Sequence, residues 1–355
     1  MARSEVIPSI KPTVCIIILN WNGWRDTVEC LESVARLDYP GYRVLIVDNG
    51  SDDDSVIRIQ EWAAGKIDKI ETAFRQWVYP LSAKPLPLTV IDDLRQSLQE
   101  DSGTNSYLLL ALKENLGFAR GVNTAIDFAR KHLDCAYFFL LNNDTVVLPK
   151  ALTELMKSFK ENTELAVAQS TVYYYDQPQH IHNAGGKIFP WGQTKYYKSI
   201  AEQEIKPITF INGCAFCLPK TTIEKYGKLT ESFFFGEEDF EFSMRAKKQG
   251  FKMVAVGSSK VYHKIAASSK KRWDGSSKTV LVFALNRLVD MRGFYSRGLW
   301  NFWRVFSTAY FWGLLFFKYR VSLKLSLQTV KKIFKYSKKL DQVKKEDIEK
   351  ILNEN

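Results

Sequence analysis

The chain has 355 residues, 46% hydrophobic and 25% charged, with a formal net charge of +11. That length and apolar content suffice for a sizeable core in one large domain or two, and exclude a mostly disordered chain. The charge is uneven: residues 318–339 carry eight Lys or Arg and no Asp or Glu. This excludes a fold that is basic throughout, as for nucleic-acid binding, and points to one local surface facing a membrane or another polyanion.

The opening "MARSEVIPSIKPT" has no apolar leader segment, and the cysteines lie mostly in apolar runs. A reducing cytoplasm is therefore the expected setting. "VCIIIL" (14–19) is a β-branched run that predicts a strand. Asp26–Leu37 places Val28, Leu31, Val34 and Leu37 at helical spacing. "RVLIVD" (43–48) predicts a second strand, followed by a turn and a helix to about Trp62. Residues 76–106 hold four prolines or glycines and no clear period, and are read as an insertion of open structure. "YLLLAL" (107–112) and "AYFFLL" (136–141) predict strands around the helical "GFARGVNTAIDFARKH". Further on, a helix is expected at about 151–160, a strand in "ELAVAQS", and a flexible turn in "NAGGKI" (183–188). Cys214-x-x-Cys217 has no second pair downstream, so core packing is expected over zinc or redox chemistry.

Alternating strands and helices imply a mostly parallel sheet with helices on both faces. Ligands of such sheets bind beyond the carboxyl ends of the strands. Those ends read Asn20-Trp21-Asn22, Asp48-Asn49, Asn115-Leu116-Gly117 and Asn142-Asn143-Asp144. One polar ending is a turn, whereas four together predict a binding rim. "NWNGW" after the first strand supplies neither a dinucleotide fingerprint nor a P-loop. Asp144 instead suits a hard divalent cation bridging phosphates, and Asp48 could accept from a base or ribose. The combination suggests a nucleoside diphosphate with metal.

The densest cluster is "FFFGEEDFEFSMRAKKQG" (233–250), with Glu237, Glu238, Asp239 and Glu241 at the start of a helix ending near Gly250. Acids suit a helix N-terminus, and Glu241 can pair with Arg245 four residues on. Four acids directly behind three phenylalanines exceed that need. A carboxylate beside apolar surface has a raised pKa, as a general base near neutral pH requires. His263 follows another apolar segment.

"IIILNWNGWRDTVECLESVARLDYPGYRVLIVDNGSDDDS", "NLGFARGVNTAI", "LLNNDTVV", "INGCAFCLP" and "FFFGEEDFEFSMRAKKQGF…VYHK" resemble, in order, the inverting family 2 glycosyltransferases. The likeness is greatest to the rhamnosyltransferase-like members that build bacterial surface polysaccharides, and covers about residues 10–295. It implies a single GT-A type, Rossmann-like catalytic domain that takes a nucleotide-diphosphate sugar and a divalent cation, Mn²⁺ or Mg²⁺. Asp48 would contact the base with Asn20 beside it, and Asn115 and Asn123 would line the donor site. The metal motif falls on Asn142, Asn143 and Asp144, where only Asp144 is a carboxylate. His263 would be a further metal or diphosphate contact. Asp239, paired with Glu238, would be the catalytic base that activates a hydroxyl of a saccharide or lipid-linked acceptor.

Residues 296–355 read as a helical, aromatic and basic tail. Only 13 residues separate Arg304 from Lys318, short of the about 20 that span a bilayer. An interfacial helix drawn to anionic lipid on the inner face of the cell membrane is expected; a helical pair packed on the catalytic domain is the alternative. Nucleic-acid binding by the tail, nucleotidyl transfer, and a catalytically degenerate scaffold are the remaining alternatives.

Overall fold

The computed structural model describes residues 12–95, 106–265 and 276–354. The first half holds β1 (Val14–Asn20), α1 (Trp24–Val34), β2 (Tyr42–Asp48), α2 (Ser55–Ala63), the single turn α3 (Arg75–Val78), β3 (Leu88–Ile91), β4 (Tyr107–Ala111), α4 (Phe118–His132), β5 (Tyr137–Asn142), β6 (Thr145–Val147) and α5 (Ala151–Glu161). Then come β7 (Leu165–Tyr174), β8 (Ile181–Asn183), β9 (Gly186–Ile188), β10 (Thr194–Tyr196), β11 (Ile205–Ile208), β12 (Ala215–Pro219), α6 (Lys220–Tyr226), α7 (Glu238–Lys248) and β13 (Lys252–His263). The chain closes with α8 (Ser276–Asp290), α9 (Arg297–Gly313), α10 (Leu323–Lys339) and α11 (Lys345–Asn353).

Eleven strands form one sheet in the order β11-β13-β7-β12-β5-β1-β2-β4-β3, with β6 on β13 and β8 on β7. Strands β3, β4, β2, β1 and β5 are parallel neighbours. Strand β12 is antiparallel to β5 and β7, while β7 and β13 are again parallel. The sheet is therefore mostly parallel, and β1, β2, β4 and β5 end on one rim.

Alternate side chains of each strand point to opposite faces. Ile16, Ile18, Val44 and Ile46 pack with Val28, Leu31 and Val34 of α1, Trp62 of α2 and Leu155 of α5. Ile17, Leu45 and Val47 pack on the other face with Val122, Ala125 and Ile126 of α4 and Phe242 of α7. Burial on both faces is why these strands read as continuous apolar runs.

Within residues 76–106, β3 adds a parallel edge strand to β4, and Lys84 Nζ reaches the buried Glu32 at 3.0 Å. Residues 96–105 of that stretch lie outside the described residues. The segment 183–188, expected as a flexible turn, instead carries the end of β8 and all of β9. Asn183 Oδ1 accepts from Gly185 N at 2.6 Å, and the β9–β10 hairpin completes the segment's backbone pairing. All five cysteines are free and buried, and Cys214 and Cys217 belong to the core.

A third apolar cluster joins Leu281, Leu285 and Leu288 of α8 with Val330 and Ile333 of α10, Val343, Ile348 of α11, and Phe233. Residues on both sides of position 295 thus share one core. Among the described residues, no helix is long and apolar enough to cross a membrane.

Candidate functional site

The rim is tied together by a run of hydrogen bonds across three strand ends. Asn143 Nδ2, after β5, donates to Thr27 Oγ1 at 3.0 Å. Thr27 Oγ1 donates to Asn20 Oδ1 at 2.7 Å, and Asn20 Nδ2 donates to Asp48 Oδ2 at 2.6 Å. Asp48 also accepts from Ser51 N at 2.9 Å and Ser51 Oγ at 2.7 Å. This gives position 143 a physical reason to be Asn: Thr27 already donates elsewhere, so its neighbour must be a donor, and an ionised carboxylate has no proton to give. Asn20 and Asp48 are fully buried. They shape the turn at 49–52, and it is Asp52 that lines the open cleft beside Trp21, Gly50 and Asn115.

Asn115 Oδ1 accepts from Gly117 N at 2.9 Å and from Asn49 Nδ2 at 3.1 Å. Gly117 adopts φ +85°, and a Cβ there would lie 2.5 Å from Phe234 O. The loop before α7 therefore rests directly on this turn, which only glycine permits. Asn123 is placed inside α4, buried, donating to Leu229 O at 2.9 Å and Glu231 Oε1 at 2.8 Å. It straps down the segment leading to α7.

Asp144 and His263 meet, with His263 Nε2 3.0 Å from Asp144 Oδ1. The β6–β13 pairing brings them together by setting Thr145 opposite His263. Burial disfavours a charged imidazole, but Cys214 and the Asp144 carboxylate outweigh it and hold His263 well above the usual histidine range. Surroundings that attract a proton also attract a cation. His263 Nδ1 is buried without a hydrogen-bond partner among the described residues, and once the imidazole gives up its proton the Asp144 carboxylate and the ring nitrogens offer oxygen and nitrogen donors together. Among the described residues no cluster of three or more His, Cys, Asp or Glu could hold a metal. The pair fits a partial site, of the kind a ligand's phosphates complete.

The structure sorts the four acids of the α7 start. Glu241 is held bidentately by Arg245, with Nε to Oε1 and Nη2 to Oε2 both 2.9 Å. Glu237, at φ +80°, is buried against Arg287 of α8. Arg287 also donates to Gly192 O at 2.8 Å and stacks on Phe240. Among the described residues, Glu238 and Asp239 have no ion-pair partner of this kind. Burial, then the neighbouring Asp239 charge, pushes Glu238 up to about 8, and its Oε2 has no hydrogen-bond partner among the described residues. Burial also raises Asp239, but Gly213 N–H, donating to Oδ2 at 3.4 Å, and Arg287 favour its charged form. Glu238 accordingly favours its protonated form more than Asp239 does, and Asp239 is the better placed of the two to be ionised.

One residue beyond Gly213, Cys214 O accepts from Asn142 N at 2.8 Å. The carboxylate pair and the Asn142–Asp144 turn are thus joined through a single peptide of the segment entering β12. Arg287 is a residue that sequence reasoning missed; its one signal is an arginine inside the apolar run "VLVFALNRLV".

Residues 137–336 match the family model described as glycosyl transferase family group 2, and residues 15–78 match glycosyl transferase family 2. The low-salt glycan biosynthesis hexosyltransferase Agl10 of Haloferax volcanii is 23% identical over 197 residues, which span 52% of this chain and 60% of that protein. Solved structures of similar fold include the Pyrobaculum calidifontis mannosyltransferase PcManGT with GDP-Man and Mn²⁺, at 12% identity and TM-score 0.50, covering 92% of this chain and 75% of that one. S. aureus TarS 1-349 with UDP-GlcNAc gives 12% and 0.53, covering 92% and 81%. GalNAc-T7 with UDP, GalNAc and Mn²⁺ gives 14% and 0.53, covering 78% and 48%. Identities this low establish a shared fold, the GT-A type.

Proposed function

The chain belongs to glycosyl transferase family group 2, and from that premise we propose that it transfers a sugar, with inversion, from a nucleotide-diphosphate donor to a hydroxyl of a saccharide or lipid-linked acceptor in surface polysaccharide synthesis. Rhamnose is the first sugar to test. The observation that carries the reading is the Glu238–Asp239 pair, without cationic partners among the described residues of the kind that hold Glu237 and Glu241, one peptide from the Asn142–Asp144 turn.

Asp239 takes the acceptor proton as that oxygen attacks the anomeric carbon, and the bond from that carbon to the diphosphate oxygen breaks on the opposite face. Asn20, Asp48 and Asn115 shape the turns that meet the nucleotide, Asn123 braces the loop over them, and Asn142 and Asn143 set the position of Asp144. Asp144 and His263 would hold a divalent cation, Mn²⁺ or Mg²⁺, which supplies positive charge for the diphosphate. The Mn²⁺ in the PcManGT and GalNAc-T7 structures supports that choice of ion.

The acceptor fits a membrane surface. Along α9 and the turn after it, Phe302, Phe306, Tyr310 and Phe317 are 57–71% exposed at helical spacing. Residues 291–340 contain no Asp or Glu. An apolar stripe with a basic surround suits an anionic bilayer surface, and we place the protein on the inner face of the cell membrane.

Calorimetric titration of UDP, dTDP and GDP, each with and without Mn²⁺ or Mg²⁺, tests the donor assignment. Metal-dependent binding of one nucleotide, lost in Asp144→Ala, is expected. Failure of all three to bind under every condition would refute it.

A further inference from the structure

A cleft of about 470 Å³ opens beside the strand-end rim, within the roughly 300–1,000 Å³ of small-molecule sites. Its lining brings Trp21, Asp52 and Asn115 together with Phe234 and, from α11, Lys345 and Glu349. Helix α11 is firmly seated. Phe234 N donates to Val343 O at 2.9 Å and Val343 N donates to Ser232 O at 2.7 Å. Ile348 and Ile351 are buried in the cluster shared with α8 and α10, and Lys332 Nζ donates to Ile351 O at 2.9 Å. The same segment that leads into α11 thus also holds the loop leading to Glu238 and Asp239.

The lining matches the parts of a nucleotide. Trp21 and Phe234 are aromatic surfaces of the kind on which bases stack, and Asp52 and Glu349 can accept from ribose hydroxyls or base N–H groups. Lys345 is the one cation among the lining residues. It is exposed and makes no hydrogen bond or ion pair among the described residues, so its three donors are available to a phosphate.

We propose that α11 forms a wall of the donor-nucleotide site, with Lys345 binding the nucleoside diphosphate in the cleft that Trp21 also lines. The donor pocket is then incomplete without α11. The proposal rests on the nucleotide-sugar reading above, and extends it to a segment which that reading leaves outside the site.

The test is titration of the nucleoside diphosphate that wild type binds, with Mn²⁺, into Lys345→Glu, Lys345→Arg and Trp21→Ala of the full chain. Lys345 occupies the first position of α11, where an acid suits the helix dipole; Lys345→Glu therefore keeps the helix, which circular dichroism checks. About tenfold weaker binding in Lys345→Glu, near-wild-type affinity in Lys345→Arg, and loss in Trp21→Ala are expected. Wild-type affinity in Lys345→Glu beside lost binding in Trp21→Ala would overturn the role of α11 and leave the donor reading standing. No binding by the wild type would overturn the donor reading itself.

Discussion

Arg287→Met tests how the N-terminal end of α7 is held. Glu237 is 3% exposed on its side chain and Arg287 23%, so the pair is largely desolvated. Removing one partner of a buried pair costs about 3–5 kcal/mol, because the other charge is left alone. The lower figure, about 3 kcal/mol at pH 8, is expected here, since Glu237 can relieve the loss by taking a proton. Burial already raises Glu237 above the usual range against the opposing pull of Arg287, and without Arg287 it rises further. The penalty therefore shrinks as pH falls from 8 to 5, because protonation of Glu237 removes the stranded charge. Urea unfolding of wild type, Arg287→Met and Glu237→Gln/Arg287→Met at both pH values reads this directly. The double variant should be the more stable of the two variants at pH 8, because no charge is stranded. A loss of under about 1 kcal/mol in Arg287→Met at pH 8, or a double variant no better than the single, would refute the reasoning.

Glu238 sets a second pH dependence, which the Asp239 charge beside it sharpens. Its folded-state pKa of about 8 lies above the ordinary 4.5, so the folded chain binds a proton that the unfolded chain releases. Stability should fall as pH rises from about 4.5 to about 8, and Glu238→Gln should raise the melting temperature at pH 8 more than at pH 5; an equal change at both would count against the assignment. If the exposed aromatic stripe of α9 enters a bilayer surface, each phenylalanine it buries contributes about 1.5–3 kcal/mol. Changing Phe302, Phe306 and Phe317 together to Ser should cut sedimentation with phosphatidylglycerol vesicles by more than about a hundredfold. Undiminished binding by that variant would exclude the stripe as the membrane contact.

The strands and the rim were legible because burial on both faces writes β1, β2, β4 and β5 as unbroken apolar runs, and each run ends where the backbone leaves the sheet. Edge strand β3 was not, since Pro85 and Pro87 precede a four-residue strand too short to show a period. The acid cluster was legible as a place but not as a division of labour. Glu237 and Glu238 are adjacent in sequence, and only the arrival of α8 some 50 residues later gives one of them Arg287 and leaves the other unpaired. Asp48 reads as an open strand-end acid, whereas the structure fills both its oxygens from Asn20 and Ser51 and puts Asp52 at the cleft. The place of α11 depends on the chain returning to Ser232 and Phe234 from more than a hundred residues away, a contact that no local pattern records.

If Asp239 is the base, its charge serves the acceptor hydroxyl and not the binding of the donor nucleotide. The most direct measurement is Asp239→Asn, read both by donor-nucleotide titration with Mn²⁺ and by sugar transfer to a hydroxyl acceptor. Unchanged nucleotide affinity with transfer reduced by about 10²–10⁴-fold is expected. Retained transfer, or loss of nucleotide binding in step with transfer, would contradict it.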